Sequence, residues 1–317
     1  MKMDESSRNR LASFKRFTIG HPAYNLAIET IYKSIEATSL RGEAAGALLM
    51  GVPGTGKTRV CSHITSGYQE NSIEHSEFDV DKLQPVVYCT VPNNCTVKGL
   101  IVSLLMALGA ERVYGDATSL EHRLRALLER HQTRLIILDE LQHMLQKGSQ
   151  ASKRGVCDCI KDISDYFSGE LLLAGTPDFE KVIAEHSALS GRFPYRAKLT
   201  EFSLATPIHQ AEYMGLLAAF DSEIRSSMKF AEMVSLTDAE MALAIYILTR
   251  GNLRGIRTIL YAALSQALTR SDGNFTRKDF SLNYSHTPRE LRLSSNNPFD
   301  MTYKQLNKII MTSTKNG

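Results

Sequence analysis

The stretch Gly51-Val-Pro-Gly-Thr-Gly-Lys-Thr58 decides the fold class of this chain. It satisfies the pattern G-x-x-x-x-G-K-[ST], and it lies between a short apolar run at residues 47–50 and a helical pattern at residues 57–68. Glycines let backbone N–H groups turn inward around phosphate oxygens, where a Cβ would obstruct them. The helix N-terminus adds its partial positive charge. The motif therefore predicts a phosphate-binding loop at a strand-to-helix junction.

Two side chains of this loop carry its chemistry. Lys57 supplies a compact cation for the β- and γ-phosphates of a nucleoside triphosphate, and Thr58 supplies an oxygen ligand for Mg²⁺. The residues that we expect to contact the nucleotide through the loop are Gly51, Pro53, Gly54, Thr55, Gly56, Lys57 and Thr58.

Short apolar segments alternate with helical patterns up to about residue 205. Strands are predicted at residues 47–50, 85–91, 135–138 and 171–174. Helices are predicted at residues 57–68, 96–108, 118–131 and 156–167. The third of these helices opens with Thr118-x-x-Glu121, the pattern of a capping box. Short buried strands that alternate with helices predict an α/β fold with a doubly wound parallel sheet.

Two acidic residues follow the apolar run at residues 135–138. Asp139 and Glu140 emerge at the carboxyl end of a central strand, where ligands bind in parallel sheets. We expect Asp139 to hold Mg²⁺ through water, and Glu140 to orient or deprotonate the attacking water. A second carboxylate beside the metal aspartate favours hydrolysis over small-molecule kinase chemistry. The alternative for the pair is an exposed acidic helix start.

Other polar residues near strand and helix ends are candidates for contacting the nucleotide. Thr176 ends the next strand, where its hydroxyl would reach the γ-phosphate or the water, although polar residues commonly end strands. Arg192 or Arg196 would stabilise the transferring phosphoryl group of a neighbouring subunit, with a plain surface position as the alternative. Arg254 follows Gly251 at a helix start and would cover the nucleotide. His143 is expected to orient the carboxylates or to pack at an interface.

The strand pattern stops after about residue 206, which predicts a change of domain. We expect a basic N-terminal extension at residues 1–20, a nucleotide-binding domain at 21–205, a small all-α lid domain at 206–280, and a tail at 281–317. The lid helices are predicted at residues 207–224, 237–250 and 253–270. An apolar stripe in the tail can fold onto a partner or dock on its own domain. Its residues are Phe299, Tyr303, Leu306 and Ile310.

Composition excludes several classes of protein. The 317 residues include 43% hydrophobic and 22% charged residues, as in soluble globular proteins. No apolar run approaches the roughly 18 residues that span a bilayer, and the N-terminus lacks the apolar core of a secretory signal. Five cysteines without a regular framework predict a cytoplasmic protein with buried thiols, because the pair Cys157-x-Cys159 lacks the second pair of a zinc site. The net charge of +3 does not decide whether the chain binds nucleic acid.

The order of the motifs along the chain resembles that of an AAA+ ATPase of the initiator-like branch. These motifs are the loop Gly51–Thr58, the pair Asp139-Glu140, Thr176, Arg192 after Ser190-Gly191, and Gly251-Asn-Leu-Arg254. More narrowly, the chain resembles the TniB/TnsC regulators of transposition. The residues that carry this narrower resemblance are His21-Pro22, Pro92 with Lys98-Gly99, Asp139-Glu140-Leu-Gln-His143, Gly175-Thr176-Pro177 and Ser190-Gly-Arg192-Phe193. Many chains of this group carry an additional arginine where Gly191 stands, which leaves the trans-acting arginine open between Arg192 and Arg196.

The resemblance implies an ATP-loaded homo-oligomer, a ring or a helical filament, that assembles on duplex DNA without sequence preference. It implies that the protein links a TniQ-type target selector to the transposase. Slow ATP hydrolysis, stimulated by oligomerisation or DNA, would act as a disassembly switch. The expected DNA contacts are Lys98, Lys147, Lys153 and Arg154, with solvated surface positions as the alternative. The C-terminal stripe is the expected contact with the transposase.

Three other functions fit parts of this pattern. A replication initiator or helicase loader shares the initiator-like motifs, but residues 281–317 are too short for the additional DNA-binding domain that such proteins commonly carry. A secretion-type AAA+ motor would need a membrane span from a partner. A scaffold that binds ATP without turnover would not need Glu140 or a trans-acting arginine.

Overall fold

The computed structural model describes residues 3–41, 46–73, 83–93, 95–146, 150–270 and 272–313. The chain divides into two compact units, of which one is Ala23–Thr200 and the other combines Met1–Pro22 with Glu201–Gly317. The division at Glu201 lies a few residues before the predicted boundary at residue 206. The N-terminal segment belongs to the same unit as the C-terminal part of the chain.

The unit Ala23–Thr200 is built on a five-stranded sheet in the order β2-β3-β4-β1-β5, and all neighbouring strands are parallel. Its strands are β1 (Ala47–Gly51), β2 (Val86–Thr90), β3 (Leu135–Asp139), β4 (Glu170–Gly175) and β5 (Tyr195–Leu199). Its helices are α2 (Pro22–Arg41), α3 (Lys57–Ile73), α4 (Val97–Ala107), α5 (Ala117–Arg130), α6 (His143–Gln146), α7 (Gln150–Tyr166), α8 (Pro177–Glu185) and α9 (Ser187–Ser190).

Helices cover both faces of this sheet because the central strands are apolar on both sides. Successive strand residues point to opposite faces. Leu48 and Ile136 pack on one face with buried residues of α4, α5, α7 and α8. Leu49 and Ile137 pack on the other face with buried residues of α2 and α3. The predicted doubly wound α/β fold is confirmed.

The start of α5 differs from its prediction. The N-cap is Asp116, whose carboxylate accepts a hydrogen bond from the Ser119 N–H at 2.8 Å. Thr118 is already helical, so the predicted capping box at this residue is wrong. Gly115, at φ +134°, turns the chain just before the cap, and the helix is capped two residues earlier than predicted.

The second unit is helical apart from one very short parallel strand pair. The helices are α1 (Glu5–Arg16), α10 (Pro207–Met228), α11 (Ala239–Thr249), α12 (Leu253–Arg270), α13 (Arg277–Asn283) and α14 (Tyr303–Ser313). The paired segments are β6 (Glu232–Met233) and β7 (Asn274–Phe275). The three helices predicted for this region correspond to α10, α11 and α12.

The two ends of the chain pack into the helical unit. Phe14 of α1 is buried, and the Arg257 guanidinium of α12 donates hydrogen bonds to the carbonyls of Phe14 and Phe17 at 3.1 and 2.8 Å. These carbonyls lie at the C-terminal end of α1, so Arg257 caps the end of this helix. The predicted N-terminal extension is therefore an integral helix of the unit.

The described part of the predicted tail is also folded. Phe299, Leu306 and Ile310 are buried in the core of the helical unit, whereas Tyr303 remains 49% exposed. Of the two interpretations of the apolar stripe, the structure shows docking on its own unit. Burial of these side chains removes apolar surface from water and holds α14 in place.

All five cysteines are buried free thiols, as predicted from their spacing. Burial raises the pKa of Cys157 to about 11 and that of Cys159 to about 12, so both remain protonated at neutral pH. Within the described ranges, the structure contains no group of three or more side chains that could hold a metal ion. None of the described helices is both long and apolar enough to cross a bilayer.

Candidate nucleotide-binding site

The glycine-rich loop joins β1 to α3 and requires glycine at defined points. Gly54 and Gly56 have φ values of +88° and +107°, a region that strains residues with a Cβ. A Cβ on Gly51 would lie 2.6 Å from Thr55 Oγ1 and 2.7 Å from the Leu199 carbonyl oxygen. The loop therefore turns sharply between β1 and the start of α3, as the motif predicts.

Lys57 points back into this loop. Its side chain is buried, and its Nζ donates hydrogen bonds to the carbonyls of Gly51 at 2.7 Å and Val52 at 3.4 Å. An ammonium held at the base of a phosphate-binding loop lies where the β- and γ-phosphates of a nucleoside triphosphate would bind, so the position of Lys57 fits a nucleotide.

Asp139 lies beside the loop at the end of β3 and is 2% exposed. Its Oδ2 accepts hydrogen bonds from Thr58 Oγ1 at 3.3 Å and from the Tyr88 hydroxyl at 2.5 Å, and its Oδ1 accepts one from the Glu140 N–H at 2.8 Å. Burial, and then the hydrogen bond to Asp139, raise the pKa of Tyr88 well above its usual value. A hydroxyl and a carboxylate at this spacing are oxygen ligands of the kind that Mg²⁺ prefers, so the pair fits the predicted cation.

Glu140 follows in a left-handed backbone conformation, with φ +61°. This turn directs the next residues toward β4, where the Leu141 N–H donates to the Ala174 carbonyl at 3.1 Å. The Gln142 side-chain amide donates to Glu140 Oε2. His143 lies on another side of the same carboxylate, with Nε2 4.0 Å from Oε2 and Nδ1 2.8 Å from the Val91 carbonyl oxygen. The geometry agrees with an orienting role for His143.

Thr176 begins α8 directly after β4. Its backbone N–H donates to Gln142 Oε1 at 3.2 Å, and its side chain does not cap the helix. The structure thus brings Thr176 into the same hydrogen-bonded group as Glu140. The role of its hydroxyl toward a γ-phosphate remains a prediction.

The two candidate trans-acting arginines are both ion-paired within the α/β unit. Arg192 pairs with Asp165 at 2.5 Å, and Arg196 of β5 pairs with Glu180 at 3.3 Å. Each arginine side chain is 38% exposed, so exposure does not distinguish them.

Arg254 lies in the first turn of α12 and is exposed. A Cβ on Gly251, at φ +73°, would lie 1.9 Å from the Phe202 carbonyl oxygen, so this position requires glycine. Asn252 then caps α12 through a hydrogen bond from the Gly255 N–H at 3.2 Å. The predicted motif therefore forms a helix start that presents Arg254.

Three of the four candidate DNA contacts lie on neighbouring helices. Lys98 is exposed in the first turn of α4, which Thr96 caps by accepting the Gly99 N–H at 3.0 Å. A Cβ built on Gly155 of α7 lies 3.4 Å from Val97 Cγ2, so the two helices approach closely here. Lys153 and Arg154 immediately precede this glycine. Lys147 lies outside the described residues.

Sequence reasoning missed Tyr88 and Gln142. Tyr88 stands in a buried strand, and the only signal in the sequence was that a polar hydroxyl occupies a position two residues before the strand end. Gln142 lies within the motif Asp139-Glu140-Leu-Gln-His143, but the motif itself predicts no role for this position. Both contacts depend on which strands are adjacent, because Tyr88 reaches Asp139 across β2 and β3, and Gln142 reaches Thr176 across β3 and β4.

The sheet order, the phosphate loop and the acidic residues at the carboxyl edge define an α/β P-loop fold of the AAA+ type. The family model described as "Bacterial TniB protein" matches residues 10–203. This chain belongs to the TniB family. No curated protein gives a match to the chain.

Solved structures share the fold at low identity. Orc1 of Aeropyrum pernix, solved in complex with DNA, has a TM-score of 0.64 at 15% identity over 88% of this chain and 68% of that chain. Cdc6p of Pyrobaculum aerophilum has a TM-score of 0.64 at 14% identity over 90% of this chain and 72% of that chain. Drosophila ORC bound to DNA has a TM-score of 0.55 at 12% identity over 99% of this chain and 80% of that chain. Likeness at this identity establishes the fold alone.

Proposed function

We propose that this chain is an ATP-dependent regulator of DNA transposition that oligomerises on duplex DNA and uses ATP hydrolysis to disassemble. The observation that carries the proposal is the cluster at the carboxyl edge of the sheet, in a chain of the TniB family. There, the buried Lys57 cation points into the phosphate loop, and Thr58 and Asp139 lie within hydrogen-bond distance of each other.

ATP and Mg²⁺ are the proposed ligands of this cluster. Lys57 and the loop N–H groups would bind the phosphates, and Thr58 and Asp139 would hold Mg²⁺. Bound Mg²⁺ supplies positive charge against the β- and γ-phosphates. The Aeropyrum pernix ORC2 protein, which shares the fold at 14% identity with a TM-score of 0.60, was solved in ADPNP-ADP complexes.

Glu140 is the proposed base of hydrolysis. It would orient a water molecule and accept its proton as the water oxygen attacks the γ-phosphorus and the bond to the ADP oxygen breaks. Thr176 would hold the γ-phosphate or the water through its hydroxyl. Arg192 or Arg196 of a neighbouring copy would offset the developing charge, and Arg254 would respond to the same phosphate. Slow turnover that requires a neighbouring copy then acts as a timer for disassembly.

Duplex DNA is the proposed partner of the cations on α4 and α7. Lys98 and Arg154 are exposed near the close approach of these helices, and lysines and arginines that meet phosphates bind without reading bases. Two of the structures with this fold were solved with DNA. A transposase and a TniQ-type target selector are the proposed protein partners on the strength of the family, and the cytoplasm is the proposed location.

Salt titration of DNA binding tests this part of the proposal. With a non-hydrolysable ATP analogue, Lys98→Ala and Arg154→Ala should each weaken binding equally for unrelated duplex sequences and lower the slope of log K against log salt by about one. The control is Lys304→Ala, which removes an exposed lysine of α14. Slopes that match the wild type in both variants would exclude these cations from the DNA interface. A strong preference for one sequence would instead favour a replication initiator.

Mixed oligomers identify the trans-acting arginine. Arg192→Ala should leave nucleotide binding by the monomer intact and lower the ATPase rate of the oligomer, since such arginines are worth about 10³–10⁵ in rate. Addition of the Glu140→Gln chain, which assembles with ATP, has little turnover of its own and keeps Arg192, should restore part of the activity. If Arg192→Ala keeps wild-type turnover and Arg196→Ala does not, Arg196 has this role.

A further inference from the structure

One side chain joins the Glu140 carboxylate to the end of β4. The Gln142 amide donates through Nε2 to Glu140 Oε2, and it accepts through Oε1 the N–H of Thr176 at 3.2 Å. The chemistry of the two partners fixes the orientation of this amide. A flipped amide would place its NH₂ group against the Thr176 N–H and its oxygen against a carboxylate, and both contacts would be repulsive.

The surrounding backbone keeps Gln142 in this position. The Leu141 N–H donates to the Ala174 carbonyl at 3.1 Å, so the turn after β3 is fixed to the last residues of β4. A Cβ built on Gly175 would lie 3.4 Å from Gln142 Oε1, so the amide packs directly against the last residue of β4. Glu140 itself has no such backbone restraint on its carboxylate, which is partly exposed.

We propose that Gln142 is a positioning residue that fixes the Glu140 carboxylate relative to Thr176, an inference that rests on the proposed hydrolysis at this site. A glutamate side chain with three rotatable bonds samples many orientations unless a neighbour holds it. The hydrogen bonds of Gln142 favour one orientation of the Glu140 carboxylate and connect it to the end of β4, which Thr176 follows. A shift of Thr176 on contact with a γ-phosphate then moves the Glu140 carboxylate in concert, which makes hydrolysis depend on a triphosphate in the loop.

Two substitutions distinguish the hydrogen bond between Gln142 and Glu140 from the hydrogen bond between Gln142 and Thr176. Gln142→Met preserves the length of the side chain and removes both hydrogen bonds. Gln142→Glu retains an acceptor for the Thr176 N–H, removes the donor to Glu140 and places a second negative charge beside it. Gln266→Met, at an exposed position of α12, is the matched control.

Amide hydrogen exchange tests the connection in the nucleotide-free protein, independently of catalysis. Gln142→Met should accelerate exchange of the Thr176 N–H and leave the Leu141 N–H protected, whereas Gln142→Glu should keep the Thr176 N–H protected. Unchanged exchange at Thr176 in Gln142→Met would overturn the proposed hydrogen bond. Loss of protection at both Thr176 and Leu141 would also contradict it, because the whole turn, rather than the Gln142 side chain, would then have changed.

ATPase kinetics test the consequence for the reaction. Gln142→Met should lower kcat by about tenfold to a hundredfold, the scale of effect of a misplaced catalytic group, with KM and the affinity for a non-hydrolysable analogue within about twofold of the wild type. In a Glu140→Gln background it should cause no further loss, because Gln142 acts through Glu140.

The outcomes distinguish this inference from the proposed function. If the wild type binds ATP and hydrolyses none, the proposed hydrolysis and the inference both fail. If the wild type turns over and Gln142→Met has the same kcat, or if its loss adds to that of Glu140→Gln, only the positioning role is wrong. A loss of nucleotide affinity equal to the loss of kcat would assign Gln142 to binding instead.

Discussion

The two edges of the parallel sheet each bury one carboxylate, and the two carboxylates have different surroundings. Asp139 at the carboxyl edge accepts hydrogen bonds from Thr58 at the start of α3, from Tyr88 of β2 and from the backbone. Glu170 at the amino edge accepts hydrogen bonds from the Ser34 and Thr38 hydroxyls, both at 2.5 Å and both from α2.

The elements that supply the hydrogen-bond donors indicate the role of each edge of the sheet. At the carboxyl edge they come from the first turn of α3, from β2 and from the turn after β3, beside the buried Lys57, which is an arrangement that can accept phosphates and a cation. At the amino edge two of them are hydroxyls from the interior of one helix and another is the backbone N–H of Ala47 in β1, so Glu170 connects α2 to the sheet. Burial raises the pKa of Glu170 to about 7, whereas hydrogen bonds from the two hydroxyls oppose this shift. One edge is a candidate ligand site, and the other is a structural junction.

The substitution with the largest expected effect is Lys57→Ala, and it distinguishes the ligand-binding role of the carboxyl edge from the structural role of the amino edge most clearly. Lys57→Ala should abolish nucleotide binding and, with it, assembly on DNA, because the loop loses its only side-chain cation. Calorimetry with ATP and Mg²⁺ measures the first loss, and sedimentation measures the second. Nucleotide affinity equal to that of the wild type would show that the carboxyl edge is not the ligand site.

Glu140→Gln should lower turnover by about 10²–10⁴ and leave ATP-bound oligomers intact, because it removes the proton acceptor and keeps the shape of the side chain. Single-turnover ATPase assays and electron microscopy measure the two properties. The control is Glu185→Gln, at an exposed position of α8. Turnover unchanged by Glu140→Gln would remove this residue from the proposed role.

Glu170→Gln tests the junction at the amino edge through pH. The pKa of Glu170 is about 7 in the folded protein and near 4.5 in the unfolded chain, so folding favours the protonated acid. The wild type should therefore be most stable relative to Glu170→Gln below pH 4.5 and lose about 3 kcal/mol of that advantage as pH rises to 7, at 1.36 kcal/mol per pKa unit.

Denaturant unfolding across this pH range measures the difference. Glu129→Gln, at an exposed position, should give a curve parallel to that of the wild type. If Glu170→Gln also runs parallel, the carboxyl group is not buried as a neutral acid. Nucleotide affinity should be unchanged by Glu170→Gln, in contrast to the carboxyl-edge variants.

Tyr88→Phe should have the smallest effect. It removes one donor to Asp139 and preserves the ring, so the Mg²⁺ concentration for half-maximal nucleotide binding should rise about tenfold, the lower end of the range for the loss of a hydrogen bond to a charged group. Affinity without Mg²⁺ should not change. Tyr114→Phe, at an exposed position, is the control. An unchanged Mg²⁺ requirement would show that Tyr88 does not help to hold Asp139.

Local patterns predicted most of the fold and the position of the site. The glycine-rich loop indicated the strand-to-helix junction, and the apolar run before Asp139 placed this residue at a strand end. Contacts between distant segments were not predictable. The order β2-β3-β4-β1-β5 inserts β1 between β4 and β5, and it also determines that Tyr88 meets Asp139 and that Gln142 meets Thr176.

Contacts between distant segments and competition between local residues explain the other differences between the predictions and the structure. The apolar stripe of α14 was visible, but the partner that buries Leu306 and Ile310 was not, because it is formed by helices far away in the sequence. The cap of α5 was misassigned to Thr118 because two acceptor residues compete there, and the carboxylate of Asp116 accepts the Ser119 N–H in the folded chain. The structure does not distinguish Arg192 from Arg196 as the trans-acting arginine, because each has an acidic partner in its own unit.

Sedimentation of the purified chain with duplex DNA, with and without a non-hydrolysable ATP analogue, is the most direct test of the central claim that a nucleotide at the carboxyl edge drives assembly. The account predicts large DNA-bound oligomers with the analogue and dispersed protein without it. Equal assembly in both samples, or failure of the chain to bind any adenine nucleotide, would contradict it.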